Sequence, residues 1–477
     1  MQNGSTRWHL AGALAIALVS NPVVAVQTDI GADPKHALVG TRITIDDKPK
    51  QVFRGFGASQ PRDQQILFKH YGARHVAALS DRVYADLGMN LVRLWVHSHA
   101  QIPVSEMKAK FYQAYMDNDY LDIIKASGVE QVLLAPTRGI TPPTESVQEY
   151  ASKLATFIRE IYDERGVRID VTGIANEPEG FTPEQLSDSV RLLRRELDSR
   201  GLASVGIIAP EWPNADGFAG RAVEAIKSNA DSWAALQAVA THSYNMGANT
   251  LMENLIAGTD KEYWMTEAGR GLPRAVDDHG KQIITEEEPG DTAEAAITAA
   301  RFLSDMNHSV THWIWAIGIG AYDQHPNKDS GQVLARPDDR TGGIKYNTKY
   351  YYLKQLRTVF DIGAVFYGSE SAREKRMGWT YGQKPAVTVA MAQNSDQSWG
   401  IGVINTTGIR GSRISQFFPA SSYSVAIKLP RAASRLQFQI FRSKRDGYAA
   451  ETTIRADRSG YLNVLVAPHE LVTLRSR

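Results

Sequence analysis

The chain has 477 residues, of which 43% are hydrophobic and 22% charged, an ordinary globular balance that suits a barrel-sized domain plus one accessory domain. Its formal net charge of +1 supplies no field to steer it to nucleic acid or to an anionic membrane. The absence of cysteine excludes disulfides, thiolate nucleophiles and cysteine-ligated metals together.

At the N-terminus, Arg7 precedes an apolar run over residues 10–20, and Asn21, Pro22, Val23, Val24 and Ala25 follow. A basic start, a short apolar run and a small residue at a cut point read as a secretory leader. Residues 1–25 are therefore expected to be removed, leaving an extracellular or periplasmic protein. A frayed N-terminal helix is the competing reading. No later run approaches the roughly 20 apolar residues of a membrane span, so no membrane partner is expected.

Residues 26–51 form an N-terminal segment that can lend strands to the C-terminal domain. Eight β-rich runs follow, at 52–59, 91–97, 131–137, 170–178, 205–212, 238–245, 263–269 and 311–318. Helical periods lie between them at 76–87, 147–162, 183–199 and 293–306, and another at 350–359 follows the eighth run. Strand–helix alternation implies parallel strands joined by crossovers, and eight units close a barrel. The predicted fold class is α/β: a (β/α)8 TIM barrel over residues 52–362. A doubly wound sheet would carry a Gly-rich phosphate turn after its first strand. The first run has only Gly55 and Gly57, read here as a tight barrel entry. From residue 363 the helical periods vanish and alternating strands appear at 386–392, 399–404, 423–429, 436–441, 461–467 and 471–474. That texture predicts a C-terminal antiparallel β-sandwich over 363–477.

In such barrels reacting groups sit where strands end. The fourth run ends in Asn176, Glu177 and Pro178, and the seventh in Thr266, Glu267, Ala268 and Gly269. Strands four and seven face each other across a closed mouth. Two opposed carboxylates are what glycosidic bond hydrolysis requires: one protonated acid, one ionised partner. A surface ion pair with an arginine is the bland alternative for either alone.

These residues, taken with their neighbours, resemble glycoside hydrolase clan A, and family 30 most closely. The opening Gly55-Phe56-Gly57-Ala58-Ser59, Arg93 on strand two, His242-Ser243-Tyr244 on strand six, an aromatic (Trp315 or Trp313) on strand eight and the closing run 468–474 carry the resemblance. It implies Glu177 as acid/base and Glu267 as nucleophile of a retaining enzyme, with Arg93, Asn176, His242, Tyr244 and Trp315 binding around them. It also implies a β-glycosidic substrate and little more. The Trp-Ser-Pro-Pro run of glucuronoxylan-type members is missing, since Ala135-Pro136-Thr137-Arg138 stands in its place.

Physical chemistry assigns tasks to these groups. Arg93 and Tyr244 can hydrogen-bond Glu267 and keep it ionised. Asn176 can hold a sugar 2-hydroxyl. Partial burial and the charge of Glu267 should raise Glu177. Trp95, Trp212 and Trp315 near strand ends can stack on sugars or simply fill core. Arg138 and Arg270 can bind uronate or sulfate, or be solvated loop residues. Carbohydrate is the only partner expected, and the chain is expected to be a monomer. No motif asks for a cofactor. Two rivals stand beside the retaining hydrolase. One is a metal-dependent barrel hydrolase built on His97 and His99 with His242 and Asp323. The other is a carbohydrate-binding barrel without turnover.

Overall fold

The computed structural model describes residues 37–60, 64–99, 101–137, 146–244, 246–269, 275–276, 282–283, 292–320, 333–338, 341–371, 385–409 and 418–477. The expected leader, Arg138, Arg270 and Asp323 lie outside the described residues.

The chain opens with the long strand β1 (Ala37–Val52), then β2 (Gly55–Gln60), helix α1 (Gln64–Ser80) and a π-helical turn (Asp81–Ala85). Next come β3 (Leu91–His97), α2 (Val104–Tyr115), α3 (Tyr120–Ala126), β4 (Gln131–Thr137), α4 (Val147–Arg165), β5 (Val171–Gly173) and α5 (Pro183–Ser199). The middle of the chain holds β6 (Gly206–Trp212), α6 (Gly217–Ser228), α7 (Ala230–Ala235), β7 (Ala238–Ser243), α8 (Thr250–Ile256) and β8 (Glu262–Ala268). A two-residue pair, β9 (Ala275–Val276) and β10 (Gln282–Ile283), precedes α9 (Thr292–Asn307) and β11 (Val310–Trp315). A small sheet of β12 (Ile317–Ile319), β13 (Val333–Asp338) and β14 (Gly343–Tyr346) leads to α10 (Thr348–Arg357). The rest is β: β15 (Val365–Ser371), β16 (Val387–Gln393), β17 (Trp399–Asn405), β18 (Ser421–Lys428), β19 (Gln437–Lys444), β20 (Gly447–Arg455), β21 (Tyr461–Val466) and β22 (Leu471–Ser476).

Strands β2 to β8 and β11 form a closed parallel barrel, β11 pairing back onto β2 through His312 and Gly55. Close approach explains the glycines of the opening motif. A Cβ on Gly57 would lie 2.1 Å from the Leu91 carbonyl oxygen of the next strand. The barrel interior is packed, not open: Leu91, Leu133, Val171, Ile208, Ala238, Ala240, Trp264 and Ile314 form one buried cluster. The helices outside obey local signals. Helix α4 starts on a capping box between Ser146 and Glu149. Its residues Tyr150, Leu154, Phe157, Ile158 and Ile161 recur every three or four positions and are buried with Val132 and Leu134. Gly166, at φ 64°, ends it.

The remaining strands make one nine-stranded sheet, in the order β20-β19-β22-β17-β16-β15-β1-β18-β21. Val389, Ile401 and Val403 from its middle share a core with Val425, Ile427, Leu462 and Val464 from one end, so the sheet folds over itself as two layers. The N-terminal segment does lend a strand: β1 pairs in parallel with β18 and antiparallel with β15. Strand β17 lies against the barrel helices, and a Cβ on Gly400 would meet the Val359 carbonyl oxygen at 1.9 Å.

Candidate active site

Three irregularities at strand ends aim three carboxylates into the barrel mouth. In β8, Thr241 of β7 pairs with Met265 and His242 pairs with Glu267, so Thr266 is an extra residue. Without it, alternation from inward-facing Trp264 would turn Glu267 away; bulges re-aim side chains in this manner. Strand β6 has the same defect between Pro210 and Trp212, and its extra residue, Glu211, takes φ 53°. Strand β5 is only three residues long, and Glu177 lies beyond it at φ 50°. The Glu177 backbone N–H donates to the Glu211 carbonyl at 3.1 Å, tying the two left-handed residues together. Such conformations cost about 1–3 kcal/mol each and persist where the surroundings over-determine them.

Arg93, fully buried on β3, organises the group. Its Nη1 donates to Glu267 Oε2 at 2.5 Å, and its Nη2 donates to Asn176 Oδ1 at 2.6 Å and to Glu211 Oε1 at 3.1 Å. Burial alone would lower the guanidinium pKa, but Glu211 and Glu267 outweigh it and the net shift is upward. Tyr244 donates its hydroxyl to Glu267 Oε1. Burial and the charge of Glu267 keep that phenol well above its ordinary range, so it remains a donor.

His242 places Nδ1 3.0 Å from Glu177 Oε1. Burial lowers its pKa to about 4, so the ring is neutral at pH 7 and the bond to Glu177 can run in either direction. Its Nε2 is buried with no partner among the described residues. Glu177 keeps one-third of its side chain exposed. Its pKa is raised by burial and opposed by Arg93. That differs from the sequence expectation, which also invoked the charge of Glu267. The charge that acts on Glu177 is instead the Arg93 guanidinium, which is bonded to Glu267 at 2.5 Å.

One oxygen of Glu177, one of Glu267 and a His242 nitrogen lie within 4.8 Å of one another. That spacing also meets the loose geometry of a metal site. A dication there would face a fixed guanidinium already bonded to Glu267. His97 and His99 lie tilted to each other with ring centroids 6.4 Å apart and are not part of this group.

The structure therefore gathers Arg93, Asn176, Glu177, His242, Tyr244 and Glu267. Trp95 stands half-buried with Arg93 6.0 Å from its ring centroid. Trp315 is 1% exposed, stacked on Trp313 and covered by the Lys349 ammonium at 5.4 Å, so it lies in the core rather than in the open mouth. Trp212 stacks on Phe218 at 3.9 Å. Sequence reasoning missed Glu211. The same rule that singled out strands four and seven, a carboxylate at a strand's C-terminal end, applied to strand five as well.

No protein-family model matches the chain, and no curated protein matches it in sequence. Solved structures share its fold. The catalytic domain of a family 30 xylanase C from Talaromyces cellulolyticus superposes with a TM-score of 0.65 at 15% identity, over 91% of this chain and 100% of that one. An endo-β1,6-glucanase gives 0.60 at 16% identity, over 91% and 93%. A family 51 arabinofuranosidase from Xanthomonas axonopodis pv. citri gives 0.59 at 14% identity, over 92% and 100%. The likeness to clan A and family 30 drawn from the sequence thus holds at the level of fold. Three different activities stand on that one fold, so the fold does not choose among them.

Proposed function

We propose that this chain is a retaining glycoside hydrolase acting on β-glycosidic bonds, with Glu177 as acid/base and Glu267 as nucleophile. One observation carries the reading. Two carboxylates on opposed barrel strands approach within 4.8 Å, one bonded to a guanidinium and a phenol, the other raised by burial. Retaining enzymes hold the pair about 5–5.5 Å apart and inverting ones about 6.5–9.5 Å, to admit a water. An oxygen-to-oxygen approach within 4.8 Å is compatible with the retaining spacing.

The chemistry then follows from the environments. Glu177, whose charged form burial disfavours, acts from its protonated form and gives that proton to the leaving glycosidic oxygen. Glu267 attacks the anomeric carbon and forms a glycosyl-enzyme. Arg93 and Tyr244 orient that carboxylate before attack. Glu177, now ionised and bonded to His242, accepts a proton from the water that opens the ester. Asn176 has its carbonyl oxygen fixed by Arg93, and its amide N–H groups, unpartnered among the described residues, can donate to the sugar 2-hydroxyl.

The deciding experiment is reducing-sugar release from a panel of β-linked polysaccharides and aryl β-glycosides, with the Glu267→Gln variant alongside. Release abolished in the variant supports the assignment. Equal release from both proteins refutes Glu267 as nucleophile. The proposed secretion has its own test: mass spectrometry of the exported protein should find a chain beginning at Val26.

A further inference from the structure

A groove of about 700 Å³ lies in the β-sheet domain, and none of its lining residues belongs to the barrel mouth. Its volume falls within the range of about 300–1,000 Å³ typical of ligand sites. Five cationic side chains line it, Lys428, Arg431, Arg435, Arg455 and Arg458, against two carboxylates, Asp47 and Asp457. An excess of three positive charges at one place is unusual in a chain whose total is +1.

The acids do not neutralise the cations. Asp47 accepts from the backbone N–H of Arg431 at 3.0 Å, and Asp457 from the backbone N–H groups of Ser459 and Tyr461 at 2.8 and 3.0 Å. Lys428 donates to the Ser459 carbonyl, and Arg455 to Gln437 at 3.2 Å. The guanidinium groups of Arg431, Arg435 and Arg458 are exposed and form no ion pair or hydrogen bond among the described residues. Several arginines elsewhere on this protein are paired, among them Arg159 with Asp163, Arg200 with Glu196, and Arg475 with Asp361 and Asp396. Three unpaired forks converging on one groove are a ready receptor for carboxylate or sulfate oxygens.

We infer that this groove binds an anionic polysaccharide through carboxylate or sulfate groups on its sugar rings. The choice of a glycan rests on the hydrolase reading, and two features of the groove agree with it. No aromatic ring lines it, so a nucleobase finds no stacking platform. No large exposed hydrophobic residue lines it, so a membrane finds no insertion face. Ser434 and Ser459 supply hydroxyl groups for sugar hydroxyls. The groove would then hold a charged chain on the sheet domain while the barrel acts on it.

Calorimetric titration of the full chain carrying Glu267→Gln tests this without turnover, so an inactive enzyme does not confuse the result. The probes are polygalacturonate, dextran sulfate, neutral dextran and duplex DNA. Polygalacturonate or dextran sulfate should bind, more weakly as salt rises, and the one that binds identifies the anionic group. Arg431→Ala/Arg435→Ala/Arg458→Ala, at exposed positions, should lose at least tenfold in affinity with an unchanged melting temperature. The corresponding triple Arg→Lys variant keeps charge but not the forks and should fall between. No binding to either acidic glycan, unchanged affinity in the alanine variant, equal binding of neutral dextran, or equally tight binding of DNA would each overturn the inference.

Discussion

Replacing Arg93 by methionine tests the electrostatic centre of the site most directly. The guanidinium lies 2.5 Å from Glu267 and 3.1 Å from Glu211, and the three side chains are 0%, 6% and 0% exposed. At an effective dielectric of about 20 the two attractions are worth roughly 7 and 5 kcal/mol before desolvation is counted. Burying Arg93 offsets much of that gain. Removing it leaves two buried carboxylates uncompensated, which costs about 3–5 kcal/mol. At roughly 1 °C per kcal/mol for a chain of this size, the melting temperature should fall by about 3–5 °C. The double-mutant cycle with Glu211→Gln isolates the cause. Removing one of the stranded charges relieves part of the loss, so the two substitutions should be coupled by about 1–3 kcal/mol. Denaturant unfolding of the four proteins measures this. A loss below about 1 kcal/mol in Arg93→Met, or additivity within about 0.5 kcal/mol, would refute the buried-charge argument.

Four further outcomes are expected. Tyr244→Phe removes one donor from Glu267, and kcat should drop about 10- to 100-fold, the worth of a hydrogen bond to a charged group, with KM little changed in steady-state assays. Glu177→Gln should lose about 10²–10⁴-fold on substrates with poor leaving groups, and the fall in kcat/KM on the alkaline side of the wild-type pH profile should vanish with it. That limb lies above pH 4.5 because burial raises Glu177, and the protonated form is the acid. His242 titrates near 4 when folded against 6.5 in the unfolded chain, so its contribution is complete above pH 6.5 and lost as pH falls to 4, by about 3 kcal/mol. His242→Gln should flatten that part of the stability–pH curve measured by calorimetry. Gly57→Ala drives a methyl onto the Leu91 carbonyl and should destabilise the barrel by about 1–3 kcal/mol in urea unfolding, whereas no loss would mean that the strands can part there.

Much of the fold was legible because period and position are local properties. The eight apolar runs each became a barrel strand, within a few residues. Their alternation with helical periods allowed few other topologies. Glu177, Glu267 and Tyr244 were legible as candidates for the same reason, since each stands at or near the end of such a run, whereas Arg93 stands near the start of its run and came from the family resemblance. Strand β20 was not: it is an edge strand none of whose residues is buried, so it carries no apolar alternation. The fourth run read as nine residues of strand and gave three, because Glu177 turns into a left-handed conformation that side-chain pattern does not encode.

What the chain order alone determined was which elements form and which residue types reach the barrel mouth. Tertiary structure decided their directions and charges. The extra residues Thr266 and Glu211 reverse an alternation that sequence would extend unbroken. Trp315, at the expected strand end, lies in the core beside Trp313 of its own strand and under Lys349 of helix α10. The sharing of Arg93 among Glu267, Asn176 and Glu211 joins a residue of β3 to the ends of three other strands. Periodicity is written in neighbouring residues, but burial and electrostatic pairing arise only when distant ones are brought within a few ångströms.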